Sequence, residues 1–143
     1  MPTTNQGLIY VDVRVDRNKT PQQLFKSIGR EQQCISDAVI GSIPRGEGEF
    51  VRVAFLEVVG RCSEDELEGV LNEHGLIHDP YAQIQVNIND PNFADDHPNG
   101  VHWKDVGHWC YASFYNKNGE HRIAADRSKE GVPGGYWVGG VPK

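Results

Sequence analysis

The feature that most constrains the fold is an Asn-Gly pair at positions 118–119, flanked on both sides by alternating apolar and polar residues. Asn-Gly is the pair most typical of a two-residue type I′ turn between antiparallel strands. Such a turn fixes how the two strands pair, because Lys117 then faces Glu120 and every pair behind them follows. The stretch HWCYASFYNKNGEHRIAADR (108–127) therefore predicts a β-hairpin of defined register.

The predicted register divides this hairpin into two chemically different faces. The first face carries small and aliphatic side chains: Cys110, Ala112, Phe114, Ile123 and Ala125. The second face carries large aromatic side chains beside charged ones: Trp109, Tyr111, Tyr115, Arg122 and Asp126. We expect the first face to be buried under helices, because its side chains are apolar and small enough to pack closely.

The second face has two interpretations that the sequence leaves open. Aromatic rings beside fixed charges are typical of small-molecule sites, because the rings supply contact area and the charges supply orientation. Cross-strand aromatic and charged pairs also stabilise solvated sheet faces and dimer interfaces without any ligand. A ligand site formed by Trp109, Tyr111, Tyr115, Arg122 and Asp126 is therefore one hypothesis, and packing or dimerisation is the alternative.

The first sixty residues predict a strand, a helix and a second strand. LIYVDVRVD (8–16) alternates as a half-buried strand does, and EFVRVAFLEVV (49–59) is apolar on both faces, as a central strand is. Between them, Thr20 and Gln23 form a capping-box pattern that predicts a helix extending to Gly41, with a break in the polar stretch near 31–33.

The second half of the chain predicts a helix, a strand and a long loop before the hairpin. Ser63 and Glu66 form another capping-box pattern, and Gly75 is placed to end that helix. YAQIQVNIN (81–89) alternates and predicts a strand. Residues 90–107 show no periodic pattern and predict a loop, and loops of this length are usually functional or disordered.

After the hairpin, one short strand is expected around 136–138. We also expect Trp103 or Trp137 to close over the second face of the hairpin, because both follow segments that can reach it.

These elements predict a single α+β domain over residues 1–143. We expect a two-layer sandwich, in which a largely antiparallel sheet of five or six strands packs one face against two helices. Exposed strand edges and aromatic side chains further predict a symmetric homodimer.

Composition excludes several classes of partner. The net charge is −6 at pH 7 and no block of Lys or Arg stands out, so nucleic-acid binding is not expected. No apolar run is long enough to cross a membrane, and the first residues do not resemble a secretory signal. We therefore expect a cytoplasmic protein. Cys34, Cys62 and Cys110 are odd in number and lack a C-x-x-C spacing, so we expect reduced thiols.

Histidines and acids near the 90–107 segment support a different function. His97, His102 and His108 could supply three imidazoles to a catalytic zinc ion, which activates a bound water for hydrolysis. Without a metal, His102, His108 and Asp96 are the candidate acid and base groups. The spacing of these residues matches no metal-binding motif, so the prediction is that the protein has no cofactor.

No motif in the chain specifies a reaction, so the sequence does not decide whether this is an enzyme. The leading hypothesis is a small binding domain whose second hairpin face meets a small molecule or a protein partner. The alternative is a hydrolase that uses the histidines and acids, with or without zinc.

Overall fold

The computed structural model describes residues 3–29, 31–128 and 131–143. For residues 3–6 and 31–34 it describes the backbone alone. The strands within these ranges are β1 (Thr3–Arg14), β2 (Glu31–Ile35), β3 (Phe50–Val59), β4 (Leu76–Ile77), β5 (Asn99–Asp105), β6 (His108–Lys117), β7 (Glu120–Arg127) and β8 (Trp137–Pro142). The helices are α1 (Pro21–Lys26), α2 (Asp37–Gly41), α3 (Glu64–Glu73), α4 (Pro80–Asn89) and α5 (Phe93–Asp96).

Seven strands form one open sheet in the order β1-β3-β8-β5-β6-β7-β2, and the two-residue strand β4 pairs with β8. Four of the six neighbouring pairs are antiparallel, while β5–β8 and β2–β7 are parallel. The protein is therefore α+β with a mostly antiparallel sheet, as expected. It has more strands and more helices in its described residues than the five or six strands and two helices predicted.

Both capping boxes form where the sequence predicts them. Thr20 accepts a hydrogen bond from the backbone N–H of Gln23, and Ser63 accepts one from the backbone N–H of Glu66. Gly75 follows the end of α3 with φ of +70°, the left-handed conformation that glycine adopts at little cost. The strand predicted at 49–59 is confirmed as β3, and the strand predicted at 8–16 is confirmed as β1, which begins earlier, at Thr3, and ends at Arg14.

The predicted first helix is interrupted in its middle, at the polar stretch where the sequence allows a break, but the strand formed there is not predicted. It divides into α1 and α2, and the polar stretch between them forms the edge strand β2, which pairs in parallel with β7. Gly29, with φ of +69°, ends the first part. A separate helix then begins at Ser36, whose side chain accepts the backbone N–H of Val39.

The predicted strand at 81–89 is wrong, because these residues form α4. Pro80 occupies the first helical position and Asp79 accepts the backbone N–H of Ala82 at 3.2 Å, so the segment carries a helix start signal. Apolar and polar residues alternate in this segment as they do in a strand. In a helix this pattern places apolar residues on several sides, which fits the burial of α4 on several sides. Its amides Gln83 and Asn87 hydrogen-bond to Asn99 of β5, which fastens the helix across the sheet.

The predicted loop at 90–107 is also wrong. It contains α5 and β5, and β5 is an inner strand between β8 and β6. Val106 and Gly107 form the two-residue turn into β6 with φ of 50° and 80°. The sequence does not predict this turn, because valine is strongly disfavoured at positive φ.

The core consists of two hydrophobic clusters, and β3 contributes to both. Val53 and Phe55 belong to the larger cluster, which also contains the buried residues of α1, α2 and α4. Ala54 and Leu56 belong to the smaller cluster, which contains Leu67 and Leu71 of α3. Since successive side chains of a strand point to opposite faces, α3 packs on the opposite side of β3 from α4. No helix in the described residues is long and apolar enough to span a membrane.

Candidate functional site

The β6–β7 hairpin has the register that its turn predicts, and its two faces differ as expected. Phe114 pairs with Ile123 and Ala112 with Ala125 on the first face, where all four side chains are at most 1% exposed. On the second face Tyr111 pairs with Asp126 and Tyr115 with Arg122, and these four are half-buried.

Strand β5 extends the second face by pairing with β6. His102 lies opposite Tyr111, and Gly100 lies opposite Ser113. The three strands therefore present cross-strand rows of side chains. The row of His102, Tyr111 and Asp126 is followed by a row of small residues, Gly100, Ser113 and Ala124. Tyr115 and Arg122 form the next row.

The row of small residues is the floor of an open cavity of about 550 Å³. His102, Tyr111 and Asp126 bound it on one side and Tyr115 on the other. The cavity exists because Gly100, Ser113 and Ala124 leave space between two rows of larger side chains. We call it the tyrosine cavity, since Tyr111, Tyr115 and Tyr136 all line it.

The glycine-rich segment 131–136 forms the outer wall of the tyrosine cavity. Val132 pairs with Cys62, which attaches this wall to the start of α3. A Cβ atom at Gly131 would lie 2.5 Å from the carbonyl oxygen of Cys62, and one at Gly134 would lie 2.7 Å from the backbone nitrogen of Gly60. Only glycine permits so close an approach, and this packing holds Tyr136 over the sheet.

Tyr136 is the aromatic residue outside the hairpin that lines the tyrosine cavity. Burial, with a smaller contribution from Tyr115 and Tyr111, raises the pKa of Tyr136, so its hydroxyl is protonated at neutral pH. The expectation that Trp103 or Trp137 takes this position is wrong. Trp103 faces the core and donates its Nε1–H to the hydroxyl of Ser42 at 2.9 Å, and Trp137 packs edge-on against His97.

A pair of histidine rings lies at one end of the tyrosine cavity, where His102 lines the cavity and the half-buried His78 packs beside it. The rings of His78 and His102 have centroids 6.1 Å apart, and His102 is 4% exposed. Nδ1 of His102 and both ring nitrogens of His78 are buried and have no hydrogen-bond partner among the described residues. Buried polar atoms are rarely left unpaired, so these atoms mark an unusual place in the fold.

Burial keeps both imidazoles uncharged. It lowers the pKa of His78 to about 4, and burial together with the neighbouring His78 lowers the pKa of His102 to about 3. At neutral pH the histidine pair therefore adds hydrogen-bonding capacity to this end of the tyrosine cavity without adding positive charge.

Three of the five predicted ligand residues, Tyr111, Tyr115 and Asp126, line the tyrosine cavity. Trp109 lies on the same face beyond His78, donates its Nε1–H to Asp65 at 2.9 Å and carries the Lys104 ammonium 4.8 Å from its ring centre. Arg122 donates to Glu120 at 2.5 Å and does not line the cavity.

The residues proposed for catalysis or metal binding are not brought together. His102 faces the tyrosine cavity, whereas His108 lies exposed on the other side of the sheet and Asp96 lies exposed at the end of α5. His97 stacks on Phe93 with ring centroids 4.9 Å apart. Within residues 3–29, 31–128 and 131–143, no group of three or more His, Cys, Asp or Glu side chains is placed to hold a metal ion.

Sequence reasoning missed His78, Tyr136 and the row of small residues. One signal was available, because the predicted register already places Ser113 opposite Ala124 between Tyr111 and Tyr115. A small pair between large neighbours on a half-buried face predicts a depression. The contribution of β5 carried no comparable signal, because its turn has a valine where asparagine or glycine is usual.

Comparison with known proteins adds no family to this description. No family model, no curated protein and no solved structure matches the chain.

Proposed function

We propose that this protein is a binding domain that takes a small molecule into the tyrosine cavity. The observation that carries the proposal is the row of Gly100, Ser113 and Ala124 between taller side chains, which gives a concave site of about 550 Å³. Ligand sites in proteins are usually concave, of a few hundred to about 1,000 Å³, and lined by aromatic groups with a few polar ones. Tyr111 and Tyr115 supply the rings, while Asp126 and His102 supply polar groups.

The architecture of this half of the sheet supports the proposal. The first face of β6 and β7 contributes to the same hydrophobic cluster as α1, α2 and α4. We propose that β5, β6 and β7 keep the two-layer arrangement predicted for the whole domain, with helices on that face. The second face then remains available to a ligand, bordered by segment 131–136 and by Asp65 at the start of α3.

A thermal-shift screen of the untagged protein tests the proposal. The panel contains nucleotides, sugars, aromatic and acyl acids, amines and divalent metals. A ligand at about 100 times its dissociation constant adds about 2.7 kcal/mol to the free energy of unfolding, which raises Tm clearly.

Two variants of one residue locate any ligand that is found. Ser113→Trp fills the cavity floor and should abolish the shift, while Ser113→Ala keeps the space and should preserve it. A panel in which nothing raises Tm, or a ligand that binds Ser113→Trp unchanged, would refute the proposed site.

Hydrolysis is the second candidate function, and one observation favours it. His102 is a neutral imidazole at the wall of the tyrosine cavity, where it can accept a hydrogen bond from a bound substrate or water and so orient it. The partners first proposed for it, His108 and Asp96, lie elsewhere. Turnover of a panel of ester and amide substrates, lost in His102→Gln while ligand binding persists, would support this function.

We also keep two proposals about the setting of the protein. A symmetric dimer is supported by the edge position of β1 and by Tyr10 and Phe50, which are 57% and 76% exposed. Sedimentation of the wild type and of Phe50→Glu tests the dimer, and a wild type that sediments as a monomer at all concentrations would exclude it.

A cytoplasmic location is supported by Cys62 and Cys110, which are buried free thiols suited to a reducing compartment.

A further inference from the structure

Among the described residues, three tyrosines and one carboxylate line the tyrosine cavity. Tyr111 and Tyr115 are four residues apart on β6, so at 3.3 Å per residue their Cα atoms are about 13 Å apart along the strand. Ser113 lies midway between them as part of the floor. Tyr136 lines the same cavity from segment 131–136. The three rings therefore surround the space above the floor on two sides and at the outer wall.

Asp126 supplies the carboxylate found among the described lining residues. Asp126 lies opposite Tyr111 and is half-buried. Its Oδ1 accepts the backbone N–H of Arg127 at 2.8 Å, and it forms no ion pair with another described residue. The negative side chain is thus held by its own backbone next to an aromatic ring.

We propose that the tyrosine cavity binds a small organic ammonium ion, with the cationic group above Ser113 between the three tyrosine rings and beside Asp126. The faces of aromatic rings attract cations, and cages of several rings are the usual means by which proteins recognise methylated ammonium groups. A nearby carboxylate strengthens this attraction where water is partly excluded. This inference rests on the proposed small-molecule function and specifies the chemical class of its ligand.

The other charged groups near the cavity are compatible with a bound cation. His78 and His102 are uncharged at neutral pH, so they do not repel it. Arg61 and Arg127 also line the cavity, but both are exposed, and the guanidinium of Arg127 lies 3.8 Å from Asp105. The chain as a whole carries a net charge of −6, which favours the approach of cations.

The test compares choline with 3,3-dimethylbutan-1-ol, its uncharged carbon isostere, by isothermal titration of the full chain. Both probes have the same shape, so a difference in affinity reports the charge alone. We expect choline to bind at least about tenfold more tightly, as a partly desolvated cation–π contact allows. Tetramethylammonium should bind as well, because the hydroxyl of choline is not required.

Two pairs of variants assign this preference to the tyrosine cavity. Tyr115→Leu should weaken choline binding by about tenfold while Tyr115→Phe, which keeps the ring face, should stay within about threefold of the wild type. Asp126→Asn should weaken choline but leave the neutral alcohol unchanged. Far-ultraviolet circular dichroism and Tm show that each variant is folded.

Each outcome separates this inference from the proposed function. Equal affinity for choline and the alcohol, or failure of choline to bind while an acid or sugar from the screening panel does, overturns the ammonium preference and leaves the small-molecule site intact. If neither the probes nor any compound of the screening panel binds, both the ammonium inference and the proposed small-molecule function are overturned. Choline binding that survives Tyr115→Leu and Asp126→Asn places the ligand elsewhere and also overturns the inference.

Discussion

Strand β6 takes part in two consecutive hairpins, and the two turn residues of each have nearly the same φ angles. At the β6–β7 turn φ is 55° at Asn118 and 84° at Gly119, and at the β5–β6 turn φ is 50° at Val106 and 80° at Gly107. Asparagine tolerates positive φ, whereas a β-branched residue there is strained by its own side chain. The β6–β7 turn therefore has a favourable residue, Asn118, at positive φ, whereas the β5–β6 turn has a strained one, Val106.

The two hairpins consequently depend on different interactions. The β6–β7 hairpin has a local signal, and the side chain of Asn116 also accepts the backbone N–H of Gly119 at 2.9 Å. The β5–β6 hairpin depends on contacts far away in sequence: Asn99 bonds to α4, and Trp103 is buried and bonds to Ser42 after α2. Local signals can be read from a sequence and tertiary ones cannot, which explains why one hairpin was predicted and the other was not.

The largest expected effect comes from removing the tertiary anchor of the β5–β6 hairpin. Trp103→Ala should lower the free energy of unfolding by about 3–5 kcal/mol, because it empties a buried indole site. The matched change in the other hairpin is Asn116→Ala, which removes exposed hydrogen bonds to Gly119 and Asp95 and should cost about 1 kcal/mol. Equilibrium unfolding in urea measures both. Equal losses would contradict the distinction between a tertiary and a local hairpin.

The next largest expected effect is a pH dependence of the free energy of unfolding. It arises from His102 of β5 and its neighbour His78. In the unfolded chain the histidines take up protons near pH 6.5, but in the folded protein His78 and His102 do so only near pH 4 and pH 3. Between these values the unfolded state binds more protons. The free energy of unfolding therefore falls as pH is lowered from about 6.5 towards 4, by at most about 1.4 kcal/mol per pH unit for each histidine.

Variants that replace these histidines with a side chain that does not titrate test whether His78 and His102 cause the pH dependence. His102→Gln and His78→Gln should each flatten the dependence of the urea midpoint on pH between 6.5 and 4. His108→Gln is the matched control, because His108 is exposed on the neighbouring strand. A slope that persists in the double variant His78→Gln, His102→Gln would show that other groups cause it.

The sequence was sufficient wherever a local rule decided the structure. The capping boxes at Thr20 and Ser63, the end of α3 at Gly75 and the pairing of Phe114 with Ile123 all follow from residues close in sequence. It failed where burial decided, as in α4. There, alternating apolar residues resemble a strand because Gln83 and Asn87 are buried as well, and their side-chain N–H groups donate to Asn99 of β5, a strand that the sequence does not predict.

The candidate site divides in the same way. Tyr111, Tyr115 and Asp126 could be assigned to one face because the Asn-Gly turn sets their register. The sequence places His102 only in a predicted loop, since the strand that carries it follows from no local signal. Tyr136 and His78 reach the tyrosine cavity or its end through tertiary contacts of the glycine-rich segment and of the residues before α4. No pattern in the sequence places them there.

A smaller effect is expected from making the favourable turn resemble the strained one. Asn118→Val should lower the free energy of unfolding by about 1–2 kcal/mol, because valine is placed at the φ of 55° that asparagine now adopts. Asn118→Gly is the control, since glycine adopts this φ freely and should cost less than half as much. The urea midpoints of the wild type, Asn118→Val and Asn118→Gly measure these differences in stability. If the valine and glycine variants are equally stable, the identity of the turn residue does not explain the difference between the hairpins.

The smallest expected effect is the reverse exchange, which should repair the β5–β6 turn. Val106 is 91% exposed and makes its turn at φ of 50°, so its side chain contributes strain and little packing. Val106→Asn should raise the free energy of unfolding by about 1 kcal/mol, because asparagine removes the strain of the β-branch at positive φ. Val106→Thr separates strain from polarity, since threonine is polar but keeps the branched shape, and it should give no gain. If threonine stabilises the protein as much as asparagine does, the benefit comes from covering an exposed apolar residue. The two turns would then differ in solvation rather than in backbone strain.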